Sequence, residues 1–132
     1  MILLTTDRLI IRSFHESDLD DLFCLLSNEE VMKYIEPPYN KKETKDFLHK
    51  YGLIKEPKIY AVTYQNIFIG YVIYHPYEND SMEIGWILNK EYWNRGFASE
   101  LTDALIKETF KRHEMVVIEC DYNHAASIKI AN

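Results

Sequence analysis

The chain has 132 residues, 47% of them hydrophobic and 27% charged, with a formal net charge of −6 and a pI near 5.3. That balance describes a single globular domain and excludes a disordered chain. The acidic excess argues against nucleic acid as the main ligand and suits a cationic partner such as an amine.

Cys24 and Cys120 stand alone, with no C-x-x-C pair and no Cys/His cluster, so no metal site is expected and both read as buried thiols. In "MILLTTDRLIIRSF" the basic residues follow the apolar run and no cleavage site appears, so it does not read as a signal peptide. No apolar run reaches membrane-spanning length, and the cytoplasm is the expected location.

"RLIIRSF" (Arg8 to Phe14) is rich in strand formers. "HESDLDDLFCLLSN" reads as a helix, with Ser17 as N-cap and Leu19, Leu22, Phe23 and Leu26 at helical spacing. "EEVMKYI" extends as a short second helix that Pro37 and Pro38 stop. "NKKETKDFLHKYGLI" is a third, with Asn40 as cap, an inner stripe of Thr44, Phe47, Leu48 and Tyr51, and Gly52 as its stop. Three strands follow: Lys58 to Tyr64, a "QN" turn, "IFIGYVIYHPY" ending near Pro76, and "SMEIGWIL". Their short turns predict antiparallel pairing. "GFASELTDALIKETFKRH" is a strong helix, "MVVIECDY" a strand buried on both faces, and "NHAASIKIAN" a final helical stretch. Strand, helix, strand in that order predicts a right-handed parallel crossover and therefore an α+β fold with a mixed sheet.

The glycine in "YWNRGFASE" stands where a helix begins. Gly96 lets a ligand approach the backbone, and the first turn carries free N–H groups and a positive partial charge, a combination suited to phosphate. Arg95 adds a full charge beside it. A tight packing turn is the competing reading of the motif taken alone.

The segment "MEIGWILNKEYWNRGFASELTDALIKETF", the "VVIECDYNHAAS" after it and the opening "LTTDRLIIRSFHESDLDDLFCLLSNEEVMKYI" resemble the GCN5-related N-acetyltransferases (GNAT). The likeness is greatest to the branch of ribosomal-protein N-terminal and spermidine-type acetyltransferases. The resemblance implies a single GNAT-like domain over residues 1–132 and an N-acetyltransferase that moves the acetyl group of acetyl-CoA to a primary amine. Acceptors in such enzymes include a protein N-terminus, a polyamine or a small-molecule amine. A non-catalytic CoA-binding or interaction domain is the alternative.

The family's pyrophosphate pattern, Gln/Arg-x-x-Gly-x-Gly/Ala, matches at Gly96 and Ala98 and departs at Trp93. By this resemblance the N–H groups of Asn94, Arg95, Gly96, Phe97, Ala98 and Ser99 hold the pyrophosphate of CoA. The resemblance also implies a bulge at Gly85, after which the strand splays from its parallel neighbour and Ile87, Leu88 and Asn89 offer backbone to the pantetheine arm. Glu83 is the candidate general base or an anchor for a cationic substrate, with a solvent-facing glutamate as the bland reading. Asn123 and Ser127 match the family's Asn-x-x-x-Ser: Asn123 to the pantetheine arm or as a helix cap, Ser127 to the thiol, ahead of the adjacent Tyr122. His124 reads as a surface residue. Tyr34, Pro37 and Tyr39 are candidates for the acceptor wall, or simply a packed loop.

Family members continue beyond the Asn-x-x-x-Ser helix with a further strand. The expectation for this chain is therefore a C-terminally short domain whose "MVVIEC" strand has an open edge, covered by dimerisation or strand exchange.

Overall fold

The computed structural model describes residues 1–33, 35–77, 81–111, 115–119 and 127–131, the last two segments as backbone. Strands β1 (Ile2–Thr5) and β2 (Leu9–Arg12) precede a 3₁₀ turn (Glu16–Asp18) and helices α1 (Leu19–Leu26), α2 (Glu29–Met32) and α3 (Lys41–Phe47). A wider turn, Leu48–Gly52, ends α3. Then come β3 (Ile59–Tyr64), β4 (Ile67–Pro76) and β5 (Ser81–Leu88), a 3₁₀ turn (Lys90–Tyr92), α4 (Phe97–Phe110), β6 (Met115–Glu119) and β7 (Ser127–Ala131).

Among the described residues the strands form one sheet in the order β1-β2-β3-β4-β5-β6-β7. Pairing is antiparallel from β1 to β5, parallel between β5 and β6, and antiparallel again between β6 and β7. Helix α4 covers one face, where Phe97, Leu101 and Leu105 pack on Ile69, Val72, Ile84 and Leu88. Helices α1 to α3 cover the other, where Leu22, Leu25, Leu26 and Leu48 pack on Ala61, Phe68, Tyr71 and Ile87. Each such fully buried side chain contributes about 1.5–3 kcal/mol, so the sheet is clamped between two apolar layers. The split follows from strand alternation: Ile84 and Leu88 face α4 while Ile87 faces the other layer.

The local signals act much as their chemistry requires. Asn40 and Glu43 cap α3 reciprocally, at 2.8 and 2.9 Å. Gln65 and Asn66 take positive φ (52° and 65°) in the two-residue β3–β4 turn, which matches the strand twist. At α1 the cap differs from the expected Ser17. The Asp18 carboxylate accepts from the His15 backbone N–H at 2.7 Å and from both Nη atoms of Arg12 at 2.8 and 2.9 Å. Burial pushes the Asp18 carboxyl up, but the Arg12 hydrogen bonds and the His15 N–H outweigh it, so it lies below its ordinary value.

Four further expectations need correction. β1 was not foreseen; it forms a hairpin with β2 because Thr6 closes the turn, its N–H donating to Leu9 O (2.9 Å) and its Oγ1 accepting from Leu9 N–H (3.0 Å). Cys24 is exposed, because the buried stripe of α1 runs through Leu22, Leu25 and Leu26 and leaves position 24 outside it. The helix expected over "NHAASIKIAN" gives way, over its described part, to β7. Ser-Ile-Lys-Ile-Ala alternates with period two, which suits a strand and not a helix. β7 pairs β6 from Met115↔Ala131 to Glu119↔Ser127, so the β6 edge expected to be open is covered within the chain. Asn123, Tyr122, His124, Cys120 and Tyr34 lie outside the described residues.

Candidate active site

The β5–β6 ladder ends at Ile84↔Ile118, while β5 itself runs on to Leu88. Asn89 N–H donates to Ile69 O at 2.8 Å, so by antiparallel alternation the backbone groups of Ile87 and Gly85 also face β4. Those of Trp86 and Leu88 therefore face the β6 side, where among the described residues no strand pairs with them. The splay inferred from the family likeness would begin after the last described pair, and the part of the chain that would show it lies outside the described residues. Its β5 backbone groups would be those of Trp86 and Leu88, whereas Ile87 and the Asn89 N–H are committed to β4.

The expected bulge at Gly85 is not there: β4 and β5 stay in register through Ile73↔Gly85. The irregularity lies one strand over, where Val62↔Gly70 is followed by Thr63↔Phe68 and Ile69 is the extra residue. Gly70 permits this because a Cβ there would sit 2.1 Å from Ile87 O and 2.8 Å from Leu88 Cα. The close backbone approach that supports the outer end of β5 depends on a glycine in the neighbouring strand.

Below that segment the chain turns into α4. Asn94 takes φ +59° and Gly96 φ +80°, the second as the N-cap. The first bond within the helix runs from Glu100 N–H to Gly96 O at 3.1 Å, and no side chain caps the turn. The N–H groups of Phe97, Ala98 and Ser99 therefore have no partner within the helix and lie at its positive end. At Gly96 a Cβ would meet only Arg8 Nη2, at 3.4 Å, so the approach is otherwise clear.

These two features border one cavity of about 720 Å³. The outer end of β5 (Trp86, Ile87, Leu88), the connection after it (Tyr92, Trp93) and the α4 entry (Asn94, Gly96, Phe97, Ala98, Ser99) form one wall. The α2 region supplies the other, with Glu30, Val31, Lys33 and Ile35. An ion pair between Lys90 and Glu30 crosses from the β5–α4 connection to α2.

Trp93, the departure from the family pattern, has a definite job. Its indole Nε1–H donates to Leu88 O at 2.8 Å and so ties the α4 entry to the outer β5 backbone. Arg95 does not line the cavity. Its guanidinium lies over the rings of Tyr64, Tyr92 and Phe97, at 5.7, 5.4 and 5.3 Å from their centroids. An aromatic cluster thus competes with an anion for Arg95.

Glu83 lies on β5 one residue before the end of the parallel ladder, and its side chain is not part of the cavity wall. It faces His75 on β4 across the pair His75↔Glu83, with His75 Nε2 3.2 Å from Glu83 Oε1. His75 Nδ1 lies 2.8 Å from Pro76 O, so both ring nitrogens face acceptors, and a neutral imidazole donates to one of them at a time. His75 was not singled out from the sequence; its pairing appears only once the β4–β5 register is fixed. Ser127 begins β7, opposite Glu119, the residue after the last described β5–β6 pair; it lies on a strand, and its spacing from Asn123 falls outside the described residues. Pro37 and Tyr39 do not line the cavity, and Tyr39 instead packs edge-on against Phe47 and donates to Glu36. Among the described residues no His/Cys/Asp/Glu cluster could hold a metal, and no helix is long and apolar enough to cross a membrane.

Comparison with known proteins places this geometry in context. The family model for the Acetyltransferase (GNAT) domain matches residues 8–132. The Bacillus subtilis protein described as uncharacterized N-acetyltransferase YnaD is 29% identical over 132 residues, 96% of this chain and 78% of the relative. The crystal structure of a GNAT-family acetyltransferase from Bacillus anthracis superposes with a TM-score of 0.82 at 32% identity, over 91% of this chain and 74% of that one. RimL, a ribosomal L7/L12 alpha-N-protein acetyltransferase in complex with coenzyme A, shares the fold with a TM-score of 0.76 at 22% identity, over 89% of this chain and 73% of its own.

Proposed function

The chain belongs to the GNAT acetyltransferase family, and from that premise we propose that it transfers the acetyl group of acetyl-CoA directly to a primary amine, with Glu83 as the base. The observation that carries the reading is that one cavity is bordered both by the outer end of β5, whose Trp86 and Leu88 backbone groups have no strand partner among the described residues, and by the open first turn of α4. The donors of Phe97, Ala98 and Ser99 suit a pyrophosphate, and the outward groups of Trp86 with the Leu88 N–H suit the amide-bearing pantetheine arm, the Leu88 carbonyl being held by Trp93. Acetyl-CoA supplies the activated thioester. Asn123 is the further proposed contact to the arm.

The chain's own groups must then manage protons. An amine attacks only when neutral, so its proton has to leave, directly or through water, to Glu83. His75, 3.2 Å away on β4, holds that carboxylate in place in the tautomer that carries the proton on Nε2. As the amine nitrogen bonds to the acetyl carbon, the carbon–sulfur bond breaks and the thiolate departs. Ser127 is the proposed proton donor to it, on the ground that its backbone pairs with Glu119, the residue after the last described β5–β6 pair. A backbone N–H on the β6 side of outer β5, that of Trp86 or Leu88, is the proposed partner of the carbonyl oxygen. The net charge of −6 suits a cationic acceptor. A protein N-terminal amine is the first acceptor to try, since the fold neighbour RimL modifies one.

The test is thiol release from acetyl-CoA against a panel of N-terminal peptides, polyamines and small amines, with CoA binding measured by calorimetry. Turnover with at least one primary amine is expected. Glu83→Gln is expected to lower kcat by about 10²-fold or more while CoA affinity holds. CoA binding without turnover on any amine would overturn the transfer reading. Loss of CoA binding in Glu83→Gln would make that residue structural.

A further inference from the structure

The first turn of α4 carries a carboxylate, Glu100, which is a poor neighbour for an anionic ligand. The fold turns it onto the β1–β2 connection. The Thr6 hydroxyl donates to Glu100 Oε2, as does the Arg8 backbone N–H at 3.1 Å, and Arg8 Nε donates to Oε1 at 2.7 Å. Burial pushes this carboxyl up, but the Thr6 and Arg8 hydrogen bonds and the Arg8 charge outweigh it and hold it below its ordinary value. The same guanidinium lies 4.1 Å from the centroid of Phe97, the first residue of α4. Its Nη2 is also the nearest atom to the Cβ position of Gly96. Residues 92 positions apart therefore fix the two ends of one turn, and none of Thr6, Arg8 and Glu100 lines the cavity.

We propose that Thr6, Arg8 and Glu100 are positioning residues for the pyrophosphate end of the CoA site: they clamp the α4 entry to the β1–β2 turn and keep the Glu100 carboxylate occupied. The proposal rests on the reading that the α4 turn receives the pyrophosphate. The clamp works through geometry, because the open N–H groups of Phe97, Ala98 and Ser99 converge on a ligand only if the start of α4 is fixed relative to β5. Trp93 fixes that start from one side through Leu88 O, and Arg8 with Glu100 fixes it from the other.

Geometry and charge predict opposite outcomes, which makes the proposal testable. Glu100→Gln removes a negative charge beside an anion site; on charge alone CoA binding should tighten. If the clamp positions the turn, CoA binding should weaken by about tenfold, the cost of a small misplacement of preorganised donors. Pantetheine, which lacks the pyrophosphate, should bind within about twofold of wild type, because it does not use the turn. Asp103→Asn makes the same charge change on the same helix, at an exposed ion pair with Lys107, and should leave CoA affinity unchanged. The double variant Arg8→Ala/Glu100→Ala removes both charges and should not restore binding. Affinities are read by calorimetry for CoA and by competition for pantetheine, with thermal unfolding recorded for each variant.

Tighter or unchanged CoA binding in Glu100→Gln overturns the proposal, as does restoration in the double variant or an equal loss for CoA and pantetheine. If wild-type protein binds CoA no more tightly than pantetheine, the pyrophosphate reading itself fails and the clamp falls with it.

Discussion

Gly70→Ala is the sharpest test of how the outer end of β5 is supported. The new Cβ would lie 2.1 Å from Ile87 O and 2.8 Å from Leu88 Cα, whereas ordinary contact begins near 3.4 Å. Both atoms belong to a backbone held in the sheet centre, so neither can rotate away as a side-chain end would. β5 must move outward by more than an ångström, or β4 must lose its bulge. Overpacking of this kind costs about 1–3 kcal/mol, and two backbone contacts place this case at the upper end. For a chain of this size that corresponds to a fall in Tm of about 10 °C. Because the displaced atoms are those of Ile87 and Leu88, CoA affinity should fall with stability. Gly52→Ala is the control: its Cβ would meet Leu48 Cδ1 at 3.1 Å and Phe14 Cδ2 at 3.3 Å, both side-chain atoms that can give. Thermal unfolding followed by circular dichroism, with a CoA titration of each variant, separates the two. If Gly70→Ala is as stable as Gly52→Ala and binds CoA like wild type, the account of the bulge as the support of β5 is wrong.

Gly96→Ala should reduce CoA affinity more than it reduces stability. A left-handed φ costs an alanine about 1–2 kcal/mol, while the new methyl meets only Arg8; calorimetry beside a melting curve checks the ratio. Trp93→Phe keeps an aromatic ring but removes the donor to Leu88 O. It should lower stability by about 1 kcal/mol in denaturant titrations. The Asp18 and Glu100 carboxyls lie below their ordinary values in the folded chain. Their stabilisation is therefore complete above the unfolded-state carboxylate range and is lost as pH falls through their lowered values. Asp18→Asn should lower stability near neutrality by about 3 kcal/mol, because it leaves Arg12 part-buried without its partner. It should also flatten the acid limb of a stability-against-pH curve; an unchanged acid limb would show that Asp18 does not govern it.

What could be read from the sequence was what local chemistry enforces. β5 was legible to the residue because alternation and flanking turns bound it, and α3 because Asn40 and Glu43 close a reciprocal cap. The α4 entry was legible because Gly96 is one of only four glycines and stands before an amphipathic run. The remainder depended on register, which is non-local. Gly70 and Gly85 both sit in strands with apolar neighbours, and nothing within either segment says at which one an added Cβ would lie 2.1 Å from a second backbone. The choice is made by Ile69, the extra residue against β3, and so by a pairing between distant segments. His75 meets Glu83, and Arg8 meets Glu100, for the same reason.

Trp93 makes the point from the opposite direction. As a side chain in a pyrophosphate motif it seemed to subtract a polar contact, but its indole secures the carbonyl of Leu88. A motif position that keeps the cradle in place need not touch the ligand. The residues that shape this site are accordingly divided between those whose backbone faces the cavity and those, such as Arg8 and Gly70, that only decide where that backbone lies, while Trp93 lines the cavity and also ties that backbone in place.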